Sequence, residues 1–218
     1  MIYPVLASAF ILTIIGFPFF LYKIITKEKS KRYLKFYTLW LICYSLFIIF
    51  GTGPSDNRLK STNSLSPYKL PWKEGVTRFV SQGNNSFTSH RELHHYAWDF
   101  WMPIGTKVLA SRGGTVTQVI QHFDGIGLDS NYIYIQHEDK TIAMYAHIKK
   151  NGSFVKQGET VSQGQPIALS GMVGQTLNPH LHFVILNQDL TKSLPISFSD
   201  LDLGVPMAGS FYQSKNKL

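Results

Sequence analysis

The chain has a single cysteine, Cys43, among its 218 residues, which excludes an internal disulfide framework and any multi-cysteine zinc site. Charged side chains are sparse at 16%, and two long stretches, residues 2–22 and 36–55, contain none. Past Trp72 no segment holds a 3.6-residue apolar period over three turns, so the later chain lacks a helical signature. A basic block outside one short segment is lacking too. Of the formal net charge of +8, residues 23–35 supply +5, from six basic side chains against Glu28. From Pro54 onward, 15 basic residues face 12 acidic ones, a net of +3 with no basic block. An excess confined to one short segment speaks against a nucleic-acid binder.

The two uncharged stretches have the length that a helix needs to cross a hydrocarbon core of ~30 Å. Pro18 is expected to kink the first, which bilayer helices tolerate. Tyr3, Phe17, Phe19, Phe20, Tyr22, Tyr33, Phe36 and Tyr37 cluster near the span ends, as interfacial aromatics do. The basic loop 23–35 between the spans is expected to stay cytoplasmic, sending both ends of the hairpin outward. The first stretch lacks a basic lead-in and GTGPSDN offers no small-x-small cleavage site, so an uncleaved anchor over residues 1–53 is preferred to a signal peptide. Cys43 inside the second span reads as a small apolar residue.

A segment rich in Ser, Asn, Gly and Pro follows, read as a linker over residues 54–71. The remaining residues, 72–218, read as an all-β soluble domain of antiparallel sheets. Candidate strands are 108–110, 115–120, 132–137 and 141–147. The last two flank Glu138-Asp139-Lys140, a hairpin signal. Turn residues then recur every few positions through Gly158, Gly164, Gly171 and Gly174, and residues 188–218 are expected to supply a closing strand and a frayed basic tail.

All eight histidines fall between His90 and His182. Imidazole is the commonest metal ligand, and with no cysteines to spare a His/Asp zinc site is the expected alternative. In Pro179-His180-Leu181-His182-Phe183, strand alternation points His180 and His182 one way and Leu181 and Phe183 into the core. Asp99 interrupts the apolar run Ala97-Trp98-Asp99-Phe100, and a buried carboxylate needs a cation or several hydrogen bonds.

These pieces occur in the order Asp99-Phe100, Pro103-x-Gly105-Thr106-x-Val108-x-Ala110, Gly113-Gly114-x-Val116, Asn131-Tyr132, Tyr145-Ala146-His147, Gly158-x-x-Val161-x-x-Gly164, Gly171-x-x-Gly174 and Pro179-His180-Leu181-His182-Phe183. Over roughly half the chain, this set resembles the lysostaphin/LytM-type zinc endopeptidases of bacterial cell walls. The resemblance implies a LytM-type β-sandwich that binds Zn²⁺ through Asp99, His182 and one earlier histidine, with His147 and His180 as unligated active-site histidines. It also implies peptidoglycan as the substrate, hydrolysed at a peptide bond of a stem or cross-bridge. An anchor in the lipid bilayer, with the catalytic domain on the extracytoplasmic side, agrees with that.

The earlier histidine stays open. The usual H-x-G-x-D pattern selects His95, but Ala97 stands where the glycine belongs. Residues four apart on a regular strand lie ~13 Å apart, whereas ligands of one zinc lie ~3.3 Å apart. The chain must therefore bend sharply, which Gly does most cheaply. Other relatives resemble Ser89-His90 followed by Tyr96-Ala97-x-Asp99-Phe100, with the ligand on a preceding loop for which residues 81–89 look like the lead-in. His90 is preferred, His95 is the alternative, and His94 reads as a solvent-facing or supporting residue. His137 and His122 take structural readings, and Tyr145 is a candidate to orient substrate. Two rivals remain. One is a catalytically inactive relative that binds wall or activates a partner amidase. The other is a lipoyl-type carrier, which would leave the histidines unexplained.

Overall fold

In Tyr132–Gln136 (β5), every second residue is buried, the period of a strand with one face on a core. Ile133 and Ile135 point inward, while Tyr132 and Tyr134 point to the other face. Such local patterns run through the part of the chain that the computed structural model describes: residues 66–217 except Phe87 and Leu203, with Lys35, Thr38 and Leu39 from earlier. The chain divides into two units, Met1–Gly51 and Thr52–Leu218. In the first, Lys35, Thr38 and Leu39 are helical. Among the described residues no helix is long and apolar enough to cross a membrane. The expected spans over 2–22 and 36–55 lie almost wholly outside the described residues.

The second unit is built of antiparallel strands. Its strands are β1 (Thr77–Gln82), β2 (Trp98–Trp101), β3 (Lys107–Leu109), β4 (Gly114–Ile120), β5, β6 (Ile142–Ala146), β7 (Ile148–Ser153), β8 (Thr160–Val161), β9 (Pro166–Ser170), β10 (His180–Leu186) and β11 (Phe211–Gln213). Eight form one sheet in the order β11-β1-β2-β10-β6-β5-β4-β8, and β3-β9-β7 form a second. Both sheets feed a common core in which Val80, Trp98, Phe100, Ile133, Tyr145, Leu181 and Phe183 of the large sheet meet Val108, Ile148, Ile167 and Ala168 of the small one. Each fully buried large side chain contributes about 1.5–3 kcal/mol relative to exposure. The expected hairpin is present as β5 and β6, paired from Tyr132↔Ala146 to Gln136↔Ile142.

β10 is buried along its whole length because both of its faces are covered. Leu181, Phe183 and Ile185 enter the main core. On the opposite face, Val184 and Leu186 join Ala97 and Ile142 in a smaller cluster, closed by Leu93, Tyr134, Met144 and Leu190. Pairing fixes the rows across this second face. His182 stands beside Asp99 of β2 and Ala146 of β6, Ala146 stands beside Tyr132, and His180 stands beside Trp101.

Three expectations are corrected. The folded domain begins before Trp72, since Tyr68 and Leu70 are core residues. The C-terminal segment is packed rather than frayed. Buried Asp200 accepts hydrogen bonds from the backbone of Leu70 and of Lys215 (2.8 Å each). The Asn216 amide donates to the Leu70 and Ala110 carbonyls. The strand expected over 141–147 stops at Ala146 because His147 adopts φ 63°, a left-handed value that breaks the extended run and turns the chain into β7.

Candidate metal centre

Asp99 and His182 share a row of neighbouring strands, so backbone pairing alone brings them together. His182 Nδ1 lies 2.9 Å from Asp99 Oδ1. His90 arrives from the loop between β1 and β2, and its Nε2 lies 3.2 Å from the same oxygen. These three residues are buried, and one ligand atom from each lies within 4.8 Å of the others. Two of the separations already match the ~3.3 Å expected between ligands on one zinc ion.

Hydrogen bonding shows why this arrangement asks for a cation. His90 Nδ1 lies 2.7 Å from the Gly83 carbonyl. A carbonyl only accepts, so Nδ1 carries the ring proton and a neutral His90 turns the Nε2 lone pair toward the carboxylate. Lone pair and anion face each other at 3.2 Å, which is unfavourable unless a positive centre lies between them. Burial would push the Asp99 carboxyl up, but the neighbouring His90 and His180 imidazoles, with His182 beside them, hold it well below the usual value. Asp99 is therefore an anion. Burial, above all, lowers the pKa of His182 despite Asp99 beside it, which leaves a neutral ring suited to a metal.

The alternative, His95, is not brought into this group. Its ring packs edge-on against Tyr96 at 4.5 Å, and its carbonyl accepts from Asn85 N. The loop closes the nine-residue spacing from His90 to Asp99 by its own polar contacts. The buried Asn84 amide donates to the Tyr96 and Ala97 carbonyls, and Gln82 Nε2 donates to Ser89 Oγ. His94, from the 3-10 turn Glu92–His94, places its Nδ1 3.0 Å from His182 Nε2.

His147 and His180 stand next to this group with ring centroids 4.6 Å apart, and His147 lies 5.9 Å from His182. His147 Nδ1 meets the Val173 carbonyl at 2.8 Å and Ser130 Oγ at 3.1 Å. His180 Nδ1 meets the Asn178 carbonyl at 3.0 Å and Thr176 Oγ1 at 3.1 Å. Both rings thus carry their proton on Nδ1 and keep Nε2 free to exchange one. His180 Nε2 lies 3.5 Å from Asp99 Oδ1. Burial, then the His180 and His182 imidazoles, lower the His147 pKa to about 3, so it is a neutral base at ordinary pH.

The sequence description peptidase family M23 matches residues 93–193, the segment that carries Asp99, His147, His180 and His182. Residues 93–193 belong to the M23 peptidases. The chain is 31% identical over 166 residues to the peptidoglycan DD-endopeptidase ShyA of Vibrio cholerae, covering 76% of this chain and 32% of that protein. It is 35% identical over 89 residues to lysostaphin of Staphylococcus simulans, covering 41% of this chain and 17% of that protein. Among solved structures, a zinc containing peptidase from Vibrio cholerae aligns at 28% identity with a TM-score of 0.46, over 60% of this chain and 39% of that one. The chain thus spans about a third or less of the length of these curated relatives.

Within this M23 domain, Gly171-x-x-Gly174 is explained by two close approaches around His147. A Cβ at Gly171 would meet Lys149 N at 2.6 Å and the His147 carbonyl at 2.8 Å, and one at Gly174 would meet Ser130 Cβ at 2.7 Å. Gly174 also needs its φ of +99°. Replacing Gly174 with Ala is expected to cost about 1–3 kcal/mol from backbone strain alone and to push Ser130 off His147. Thermal melting should show the first effect, and a lengthened Ser130–His147 contact in the structure of the variant the second.

Some residues fall outside the site. Tyr145, a candidate to orient substrate, is fully buried on the core face, where its hydroxyl accepts from Ser111 N at 2.8 Å. Its pairing with Phe183 and Ile133 puts it in the inward-facing rows. His137 is buried with Nδ1 on the Gly113 carbonyl, and His122 packs on Phe123. Conversely, Ser130 and the carbonyls of Gly83 and Val173 hold the histidines without having stood out in the sequence. Only the nearby Gly174 hinted at Ser130.

Proposed function

We propose that the chain is a membrane-anchored zinc endopeptidase that hydrolyses peptide bonds in peptidoglycan stems or cross-links. The observation that carries the metal is the convergence of His90, Asp99 and His182, one ligand atom of each lying within 4.8 Å of the others, with a lone pair and a carboxylate set against each other. His90, Asp99 and His182 would hold the ion. Zinc, when bound in such an N,N,O set, polarises a scissile carbonyl and acidifies a water molecule.

The chain's own residues supply the rest. Of His147 and His180, one takes the proton of the attacking water through Nε2, and the other, protonated there, donates to the developing oxyanion. The Val173 carbonyl and Ser130 hold the His147 ring, and Asn178 and Thr176 hold that of His180, so neither reorients during the reaction. On the sheet face, His182 is followed along its row by the small Ala146 and then by Tyr132 in the next strand.

The relatives' names support peptidoglycan as the substrate. The uncharged stretches 2–22 and 36–55 around a basic loop support a two-span anchor, with the domain beyond them on the extracytoplasmic side. Such an anchor holds the site near the wall.

Incubating the full-length chain in detergent with defined muropeptides, and weighing the products, tests this reading. New peptide ends are expected with zinc, none after chelation, and recovery when zinc is restored. Intact muropeptides in the presence of zinc would instead favour a wall-binding relative without activity.

A further inference from the structure

Against the candidate metal ligand His182 stands an imidazole that the proposed chemistry leaves unused. His94 lies on the far side of the His182 ring from Asp99. His182 Nδ1 faces the carboxylate at 2.9 Å, and Nε2 faces His94 Nδ1 at 3.0 Å. The two rings meet edge-on, with centroids 4.9 Å apart at 70°. His94 is not among the three residues whose ligand atoms are mutually close, so it touches the centre only through His182.

We propose that His94 is a positioning residue whose Nδ1 accepts a hydrogen bond from His182 Nε2–H, fixing the tautomer and ring plane that aim His182 Nδ1 at the metal. The inference rests on the zinc reading above. A neutral imidazole that gives one nitrogen to a metal must carry its proton on the other. For His182 that proton sits on Nε2, and the group facing it must accept. Outer partners of this kind are ordinarily carboxylates, carbonyls or water. Here a second imidazole takes the place, and its own proton is then on Nε2.

The fold holds His94 in this position by several independent contacts. The 3-10 turn is closed by His94 N–H donating to the Arg91 carbonyl at 2.9 Å and by Ala97 N–H donating to the His94 carbonyl at 3.0 Å. The neighbouring Leu93 packs into the small apolar cluster of Ile142, Val184 and Leu186 on the same sheet face as the site. Glu92 takes φ 49°, a left-handed value that is unfavourable for a residue with a side chain. A turn held against such strain is not a free loop end, and its apolar anchor sets how far His94 reaches over β10.

The test compares zinc affinity in the metal-free full-length chain, measured by competition with a fluorescent chelator. His94→Leu removes the acceptor at similar bulk. His94→Asn keeps an acceptor where Nδ1 stood. Losing an outer partner typically costs 10–100-fold in metal affinity. His94→Leu is therefore expected to bind zinc about 10-fold more weakly or worse, and His94→Asn close to the parent. The metal-free melting temperature should stay near the parent's in both, while the rise on adding zinc shrinks only in His94→Leu. Parent-like zinc affinity in His94→Leu would overturn the proposal, as would equal losses in both variants. His182→Ala separates the two readings: if it binds zinc as well as the parent, the metal site itself is wrong, whatever His94 does.

Discussion

Replacing Asp99 with Ala should leave a chain that no longer retains zinc through dialysis and hydrolyses nothing above background. The expected loss of affinity exceeds the ~10–100-fold that an outer partner costs, because Asp99 is the only anion in the mutually close group. Without it, His90 Nε2 and His182 Nδ1 remain as two neutral donors for a dication in a buried site, where an uncompensated charge is least tolerated. Asp99→Asn refines the result, since it keeps the shape and one oxygen but removes the charge. Its affinity should lie between those of the parent and the Ala variant. Metal analysis after dialysis and chelator competition read both, and far-ultraviolet circular dichroism checks that β2 still pairs with β10. Stoichiometric zinc in Asp99→Ala would place the ion elsewhere and remove the basis of the proposed mechanism.

The second large effect separates chemistry from metal binding. His147→Gln is expected to lower kcat by about 10²–10⁴-fold, the usual contribution of a positioned acid or base, with zinc affinity near the parent's. The distinction follows from geometry. His147 lies 5.9 Å from His182 between ring centroids and is tied to Val173 and Ser130, with none of its atoms in the ligand group. His180→Gln should behave alike. The double variant should fall by less than the product of the single losses, because paired groups that act in one step are strongly non-additive. A His147→Gln chain that loses zinc in step with activity would make His147 a ligand instead.

Much of this was legible in the sequence because it depends on local order. Two β-type runs with Glu138-Asp139-Lys140 between them predicted the hairpin of β5 and β6, since such runs joined by a short polar turn pair with each other. H-x-H placed His180 and His182 on one face for the same reason, with Leu181 and Phe183 necessarily in the core. Tyr145 misled because alternation gives a residue two faces without saying which is the core. The row through Phe183 and Ile133 settles that.

The choice between His90 and His95 could not be read from spacing. His95 is nearer to Asp99 along the chain, yet the residue brought to the carboxylate is His90, nine positions away. The path of that loop depends on contacts its own sequence does not announce. Asn84 reaches the carbonyls of residues 96 and 97, the Gly83 carbonyl orients His90, and Leu93 drops into an apolar cluster made by β6 and β10. Residue types and strand periodicity, both local, determined that this is an antiparallel β domain rich in metal-binding side chains and joined to two uncharged stretches. Only the tertiary structure decided which imidazoles meet one carboxylate and which merely support them. Distances between atoms far apart in the chain are set by packing of the whole domain, and coordination chemistry is sensitive to tenths of an ångström.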